Sequence, residues 1–240
     1  MTYHVLRGDL CYALAPYLNF KDFINFCRVF KPRKNLKAVF DKSMAKAVDA
    51  YLKNLFGTHY VKWRQMMALN HVILSGSTIL QVLLREPWED SDLDFFNPVA
   101  EAKTMGVTSY FSKFEDFVYS TLDSHQEGDT LPRYTFNADK TIARVDSYNI
   151  EGKKIQIISI RENSDYNVLD IFVRTSFDIH ILMNIFYYEL DPLTEAIVPR
   201  LKLYNLNSIM TKRSKKRVTN PKYLHEQRVI KYRQRGFTIN

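Results

Sequence analysis

Asp92-Leu93-Asp94 sets two carboxylates one residue apart, with the apolar Phe95-Phe96 directly behind them. In a strand, residues two apart share a face, so the two acids would stand side by side. Two carboxylates about 4 Å apart repel by roughly 4 kcal/mol at an effective dielectric near 20. A cation between them, a proton on one of them, or open solvent around both relieves that repulsion. Hard divalent ions such as Mg2+ bind through carboxylate oxygens and keep waters and substrate phosphates in their shell. Seventeen positions upstream stands Ser75-Gly76-Ser77, in which glycine can take backbone angles closed to other residues. A turn of this kind opening a helix offers backbone N–H groups and a positive dipole end to a phosphate.

The elements that must bring these groups together can be read around them. Val72, Ile73 and Leu74 form a short apolar run that predicts a buried strand ending at the Ser-Gly-Ser turn. Ile79, Leu80, Leu83 and Leu84 then recur at helical spacing, and Pro87 marks the end of that helix. The Asp pair follows on a second strand. Turn, helix and paired-acid strand in that order predict a site for a phosphate and a metal ion. A βαβ turn followed by a strand end with two solvated acids is the plain structural alternative.

Gly76-Ser77, the helix, and Asp92-Leu93-Asp94 with apolar flanks resemble the signature of the polymerase-beta-like nucleotidyltransferase superfamily, which includes poly(A) polymerases and tRNA CCA-adding enzymes. The resemblance implies a triphosphate held by Ser75, Gly76 and Ser77, and Mg2+ or Mn2+ held by Asp92 and Asp94. It also implies a third carboxylate on a later strand that helps activate an acceptor hydroxyl. At the matching place, within Lys154-Ile155-Gln156-Ile157-Ile158, this chain carries Gln156, whose amide has neither charge nor basicity. Asp178, in the apolar setting Ser-Phe-Asp-Ile-His-Ile, is the best substitute as catalytic and metal residue, because an acid there would be costly to bury without a partner. Asp146 and Asp170 are weaker candidates. His180 would share a strand face with Asp178 if 176–187 is a strand.

The basic run Lys212-Arg213-Ser214-Lys215-Lys216-Arg217, followed by Arg228, Lys231, Arg233 and Arg235, suits a triphosphate or polynucleotide track, with Lys216 and Arg217 as the nucleotide-binding candidates. The ending from Arg228 to Phe237 resembles that of little-characterised nucleotidyltransferase-like proteins of large DNA viruses and fungi. At the other end, Leu18-Asn19-Phe20-Lys21-Asp22 and the following Phe-Ile-Asn-Phe-Cys-Arg-Val are similar to the start of an F-box, which implies an adaptor protein as partner.

Composition bounds these readings. The net charge of +8 favours anionic partners, RNA or another nucleic acid among them. Cys11 and Cys27 lack metal-ligand spacing, so free thiols in a reducing compartment are expected. The first thirty residues lack a signal-peptide core, and no apolar run reaches the roughly 20 residues needed to span a bilayer. The expectation is an intracellular protein, cytoplasmic or nuclear, in a virus-infected host cell if the viral resemblance holds, with no membrane partner.

The predicted architecture is α+β: an N-terminal helical region at 1–58, a nucleotidyltransferase-like mixed β-sheet flanked by helices at 59–210, and a basic C-terminal extension at 211–240. The predicted function is binding of a nucleoside triphosphate with Mg2+, with nucleotidyl transfer to a hydroxyl of RNA, protein or a small molecule if Asp178 completes the site. A catalytically inactive nucleotidyltransferase-fold module, binding RNA or acting as a scaffold, and an F-box-type adaptor are the alternatives.

Overall fold

A computed structural model of the protein describes residues 36–104, 107–122, 125–126, 142–161, 166–217 and 222–240, together with Asp22 and Asn25. The rest of the F-box-like stretch and the strand expected at Arg133 to Phe136 lie outside the described residues. The architecture is α+β, with helices preceding and flanking a mixed sheet.

Helix α1 (Leu36–Phe56) buries Phe40, Met44, Val48, Leu52 and Leu55, a stripe at three- and four-residue spacing. Helix α2 (Tyr60–Leu69) follows, with Trp63 buried and stacked on Phe56 at 3.8 Å between ring centroids. Strand β1 (Ile73–Ser75) leads into helix α3 (Ser77–Leu84), which stops where Arg85 turns left-handed ahead of Pro87. Strand β2 (Leu93–Thr104) carries Asp94, pairs with β3 (Val107–Phe111), and is followed by helix α4 (Lys113–Thr121). Sequence periodicity alone would extend a helix back to Tyr110. Instead Ser112 caps α4, its Oγ accepting from the Phe114 and Glu115 amides, and the residues before it join the sheet.

The short β4 (His125–Gln126) precedes the hairpin of β5 (Ile142–Ile150) and β6 (Lys153–Arg161), turned at Glu151-Gly152 as the sequence predicts. Helix α5 (Tyr166–Ser176), a 3-10 turn (His180–Leu182), β7 (Ile185–Leu190), β8 (Ile197–Lys202) and helix α6 (Leu206–Thr211) come next. The chain closes with β9 (Arg213–Ser214), helix α7 (Lys222–Gln234) and β10 (Thr238–Ile239), which pairs in parallel with β9.

The eight-stranded sheet has the order β4-β5-β6-β2-β1-β7-β8, with β3 on β2. β2 and β6 are parallel, and the other pairings in it are antiparallel. Side-chain alternation sorts its two faces. Leu74, Leu93, Phe95, Ile155, Ile157 and Phe186 face α1, α2 and α4 in the larger core. Ile73, Phe96, Ile158, Ile160 and Ile185 face α5, where Leu169, Phe172 and Val173 cover them. Fully burying each such aliphatic side chain contributes about 1.5–3 kcal/mol.

The strand expected over 176–187 is found only from Ile185 onward. Ahead of it the backbone bonds to the segment after β9: Arg217 N donates to Asp178 O at 2.7 Å, His180 N to Lys215 O at 3.3 Å, and Ile179 forms an isolated bridge with Lys216. Asp178 and His180 therefore do not share a strand face. Among the described residues, no helix is long and apolar enough to cross a membrane.

Candidate functional site

Gly76 joins β1 to α3 at φ +86° and ψ −149°, a conformation essentially confined to glycine. Register explains why no side chain fits there. Ser75 pairs with Asp94 across the β1–β2 ladder, and a Cβ on Gly76 would lie 2.9 Å from Asp94 Oδ2. Polar contacts lock the bend on both sides. Ser75 Oγ donates to Asn184 O at 2.6 Å, Thr78 Oγ1 donates to Asp92 O at 2.8 Å, and the Ser77 and Ser91 hydroxyls lie 2.8 Å apart.

From this bend a pocket of about 420 Å³ opens on the α5 face of the sheet. Gly76, Ser77, Asp92, Asp94 and Gln156 line one side, Arg228 and Lys231 of α7 stand in its wall, and Phe96, Phe172 and Phe177 give it an apolar flank. The predicted bend and Asp pair thus converge on one cavity. Both acids are half-buried, but Asp94 Oδ1 is sealed from solvent and has no hydrogen-bond partner. Burial, and then the charge of Asp92, push the Asp94 carboxyl up to about 7, against the opposing pull of Arg228, Lys231 and Lys154.

The remaining predicted residues fall elsewhere. Ser75 is fully buried, and its hydroxyl faces the Asn184 and Leu182 carbonyls rather than the pocket. Asp178 is 4% exposed, accepts from Arg228 Nη1 at 3.2 Å, and is absent from the pocket lining. The described residues contain no group of three or more His, Cys, Asp or Glu spaced to hold a metal ion. Asp146 is bound by Arg144 on the side of Glu115, and Asp170 by Lys202 and the Tyr204 hydroxyl. His180 lies in the 3-10 turn, its imidazole held below the usual histidine range by burial and by Arg217 and Lys215. Lys216 and Arg217 do not line the pocket, and Arg217 Nη1 instead donates to the Arg174 and Thr175 carbonyls at the end of α5.

Gln156 sits on the strand beside Asp94. β6 runs parallel to β2 with Gln156 paired to Asp94, so its 8% exposed side chain enters the same pocket. The cations that reach the pocket come from α7, whose placement follows from side chains around Trp88. Arg235 lies over the Trp88 ring at 4.3 Å, Tyr232 and Phe237 pack edge-on against it at 6.3 Å, and Asp90 receives Lys231 at 3.1 Å and Arg235 at 2.5 Å. The Tyr232 hydroxyl bonds Ser77, and burial pushes that phenol above its ordinary range. The basic run is tied in by the same means: Lys212 Nζ meets Glu86 Oε1 at 2.6 Å, and the β9–β10 ladder fastens Arg213-Ser214.

The donor set fits a hard divalent ion. It is all oxygen, it brings two carboxyl groups into one cavity, and one of its oxygens is buried without a partner. The bend amides at the start of α3 and the two cations of α7 lie around the same cavity, as an extended polyanion would require.

No family model matches this chain, and no curated protein sequence matches it. Among solved structures, the Thermotoga maritima CCA-adding enzyme complexed with tRNA(CCA) is similar at a TM-score of 0.46 and 14% identity, over 82% of this chain and 42% of that one. A CCA-adding enzyme in apo form I is similar at a TM-score of 0.42 and 13% identity, over 87% and 43%. These neighbours belong to the polymerase-beta-like nucleotidyltransferase superfamily. The chain spans less than half the length of either.

Proposed function

We propose that this protein binds a nucleoside triphosphate together with Mg2+ or Mn2+ in the pocket between β2, β6, α5 and α7, as a member of the nucleotidyltransferase superfamily. The observation that carries the reading is Asp94: its Oδ1 is buried and unpartnered beside a second carboxylate, against a glycine bend that admits no side chain. A buried carboxylate without a partner is destabilising unless protonated or matched by a cation. Asp92 and Asp94 would hold the metal ion, which would offset the negative charge of the phosphate chain. Gly76 and Ser77 present the bend to the phosphate chain. Arg228 and Lys231 balance its charge, with Arg228 steadied by Asp178. The apolar flank of Phe96, Phe172 and Phe177 offers ring faces to a base.

Calorimetric titration of each common triphosphate, with and without Mg2+ or Mn2+, tests the reading. Metal-dependent binding is expected in the wild type and is lost in Asp92→Ala and in Asp94→Ala. If both variants bind as the wild type does, the site is misassigned.

A further inference from the structure

We infer that the pocket holds its nucleotide with a single divalent ion and releases it unchanged, because the strand beside Asp94 contributes to the pocket an amide, Gln156, and no further acid. The inference rests on the nucleotide reading above and narrows it from transfer to retention.

Parallel pairing fixes the position of Gln156. It is the β6 residue registered against Asp94, and its side chain enters the pocket beside that carboxylate. Two-metal sites place their ions roughly 3.5–4 Å apart, so the protein must supply ligand oxygens that reach both ions at close range. Here the described lining offers two carboxylates, and its third polar side chain on the sheet, an amide, adds an oxygen dipole with neither charge nor basicity. No other described acid is available to help. Asp178 is held by Arg228, Asp170 by Lys202 and Tyr204, and Glu115 by Arg144 on the opposite face of the sheet. The same amide cannot take a proton from an acceptor hydroxyl, and His180 lies outside the lining. Among the described residues, the pocket has groups to bind a triphosphate and no base to take a proton from an acceptor.

The test counts ions. Mn2+ bound per chain is measured by electron paramagnetic resonance with saturating ATP and with its α,β-methylene analogue, beside α-labelled triphosphates offered with mixed RNA and protein acceptors. One Mn2+ per wild-type chain, nucleotide recovered intact and no labelled acceptor are expected, and Gln156→Glu should bind a second Mn2+. Two ions on the wild type, or label on an acceptor, would overturn the inference while leaving the nucleotide reading intact. A folded Gln156→Glu that still binds one ion would overturn the role given to Gln156. If that variant does not fold, the wild-type count decides. A wild type that binds neither ion nor nucleotide would bring down the underlying reading and this inference with it.

Discussion

Gly76 and Asp94 constrain each other, and each makes the other's substitution costly in a different way. Gly76→Ala meets both a backbone conformation that costs of order 1–3 kcal/mol for other residues and a Cβ only 2.9 Å from Asp94 Oδ2. The expected outcome is a melting temperature lower by several degrees, with weakened Mn2+ binding because the carboxylate must move aside. A variant with normal Mn2+ affinity would separate the bend from the metal site. For Asp94 the sign of the pH dependence follows from its raised carboxyl, which sits at about 7 in the fold and at the ordinary 3.8 when unfolded. Between those values the folded state binds the extra proton, so this group's stabilising contribution is present below about pH 4 and is lost as pH rises to about 7. Asp94→Asn should therefore match the metal-free wild type near pH 4 and melt at a higher temperature than it at pH 8. Thermal melts at both pH values in chelator check this, and a variant less stable at pH 8 would count against it. Adding Mg2+ at pH 8 should then raise the wild type and leave Asp94→Asn unmoved.

Helix α7 was the least legible element, although it supplies the cations of the pocket. Of its described side chains only Val229 and Tyr232 are buried, so no apolar stripe announces a core-facing helix, and the stretch reads as a basic tail. Its position is set by Trp88 and Asp90, over 130 residues earlier, and no local pattern encodes such a pairing. The bend and the Asp pair were legible because their spacing is local: a strand, a glycine, one helix and a second strand. Asp178 was drawn to attention by its apolar neighbours, and the structure gives the reason they tolerate it, an ion pair with Arg228. That contact yields a prediction that separates a metal ligand from a positioning residue. Asp178→Asn should leave Mn2+ affinity within about twofold while weakening triphosphate binding through a loosened Arg228. Arg228→Gln, which loses the charge-assisted contact itself, should weaken it by about 10- to 100-fold. Loss of Mn2+ binding in Asp178→Asn would restore it as a ligand. Lys216→Gln, outside the pocket lining, should change neither affinity.

Taken across the fold, the two tryptophans of the chain divide the work of the core between them. Trp63 lies at the centre of the α1–α2–α4 face, in contact with Phe56, Phe95, Phe114 and Phe117, on the side of the sheet away from the pocket. Trp88 stands on the α3–β2 connection, where it holds Tyr232, Arg235 and Phe237 and so fixes the helix that carries Arg228 and Lys231. Truncating either ring should cost about 3–5 kcal/mol, since both are buried and ring-packed. Their effects on binding should differ. In Trp63→Ala the molecules that remain folded keep both faces of the pocket, so triphosphate affinity, measured well below the lowered melting temperature, stays near wild type. In Trp88→Ala the anchor of α7 is gone, and affinity should fall by about 10-fold or more even where circular dichroism reports a native sheet. Stabilisation by ligand supplies the cross-check: saturating nucleotide and Mg2+ should recover melting temperature in Trp63→Ala and recover little in Trp88→Ala. Equal recovery in both would mean that the helix bearing the cations docks without Trp88. The pocket would then be organised by the ladder of β9 and β10 and the Lys212–Glu86 pair instead.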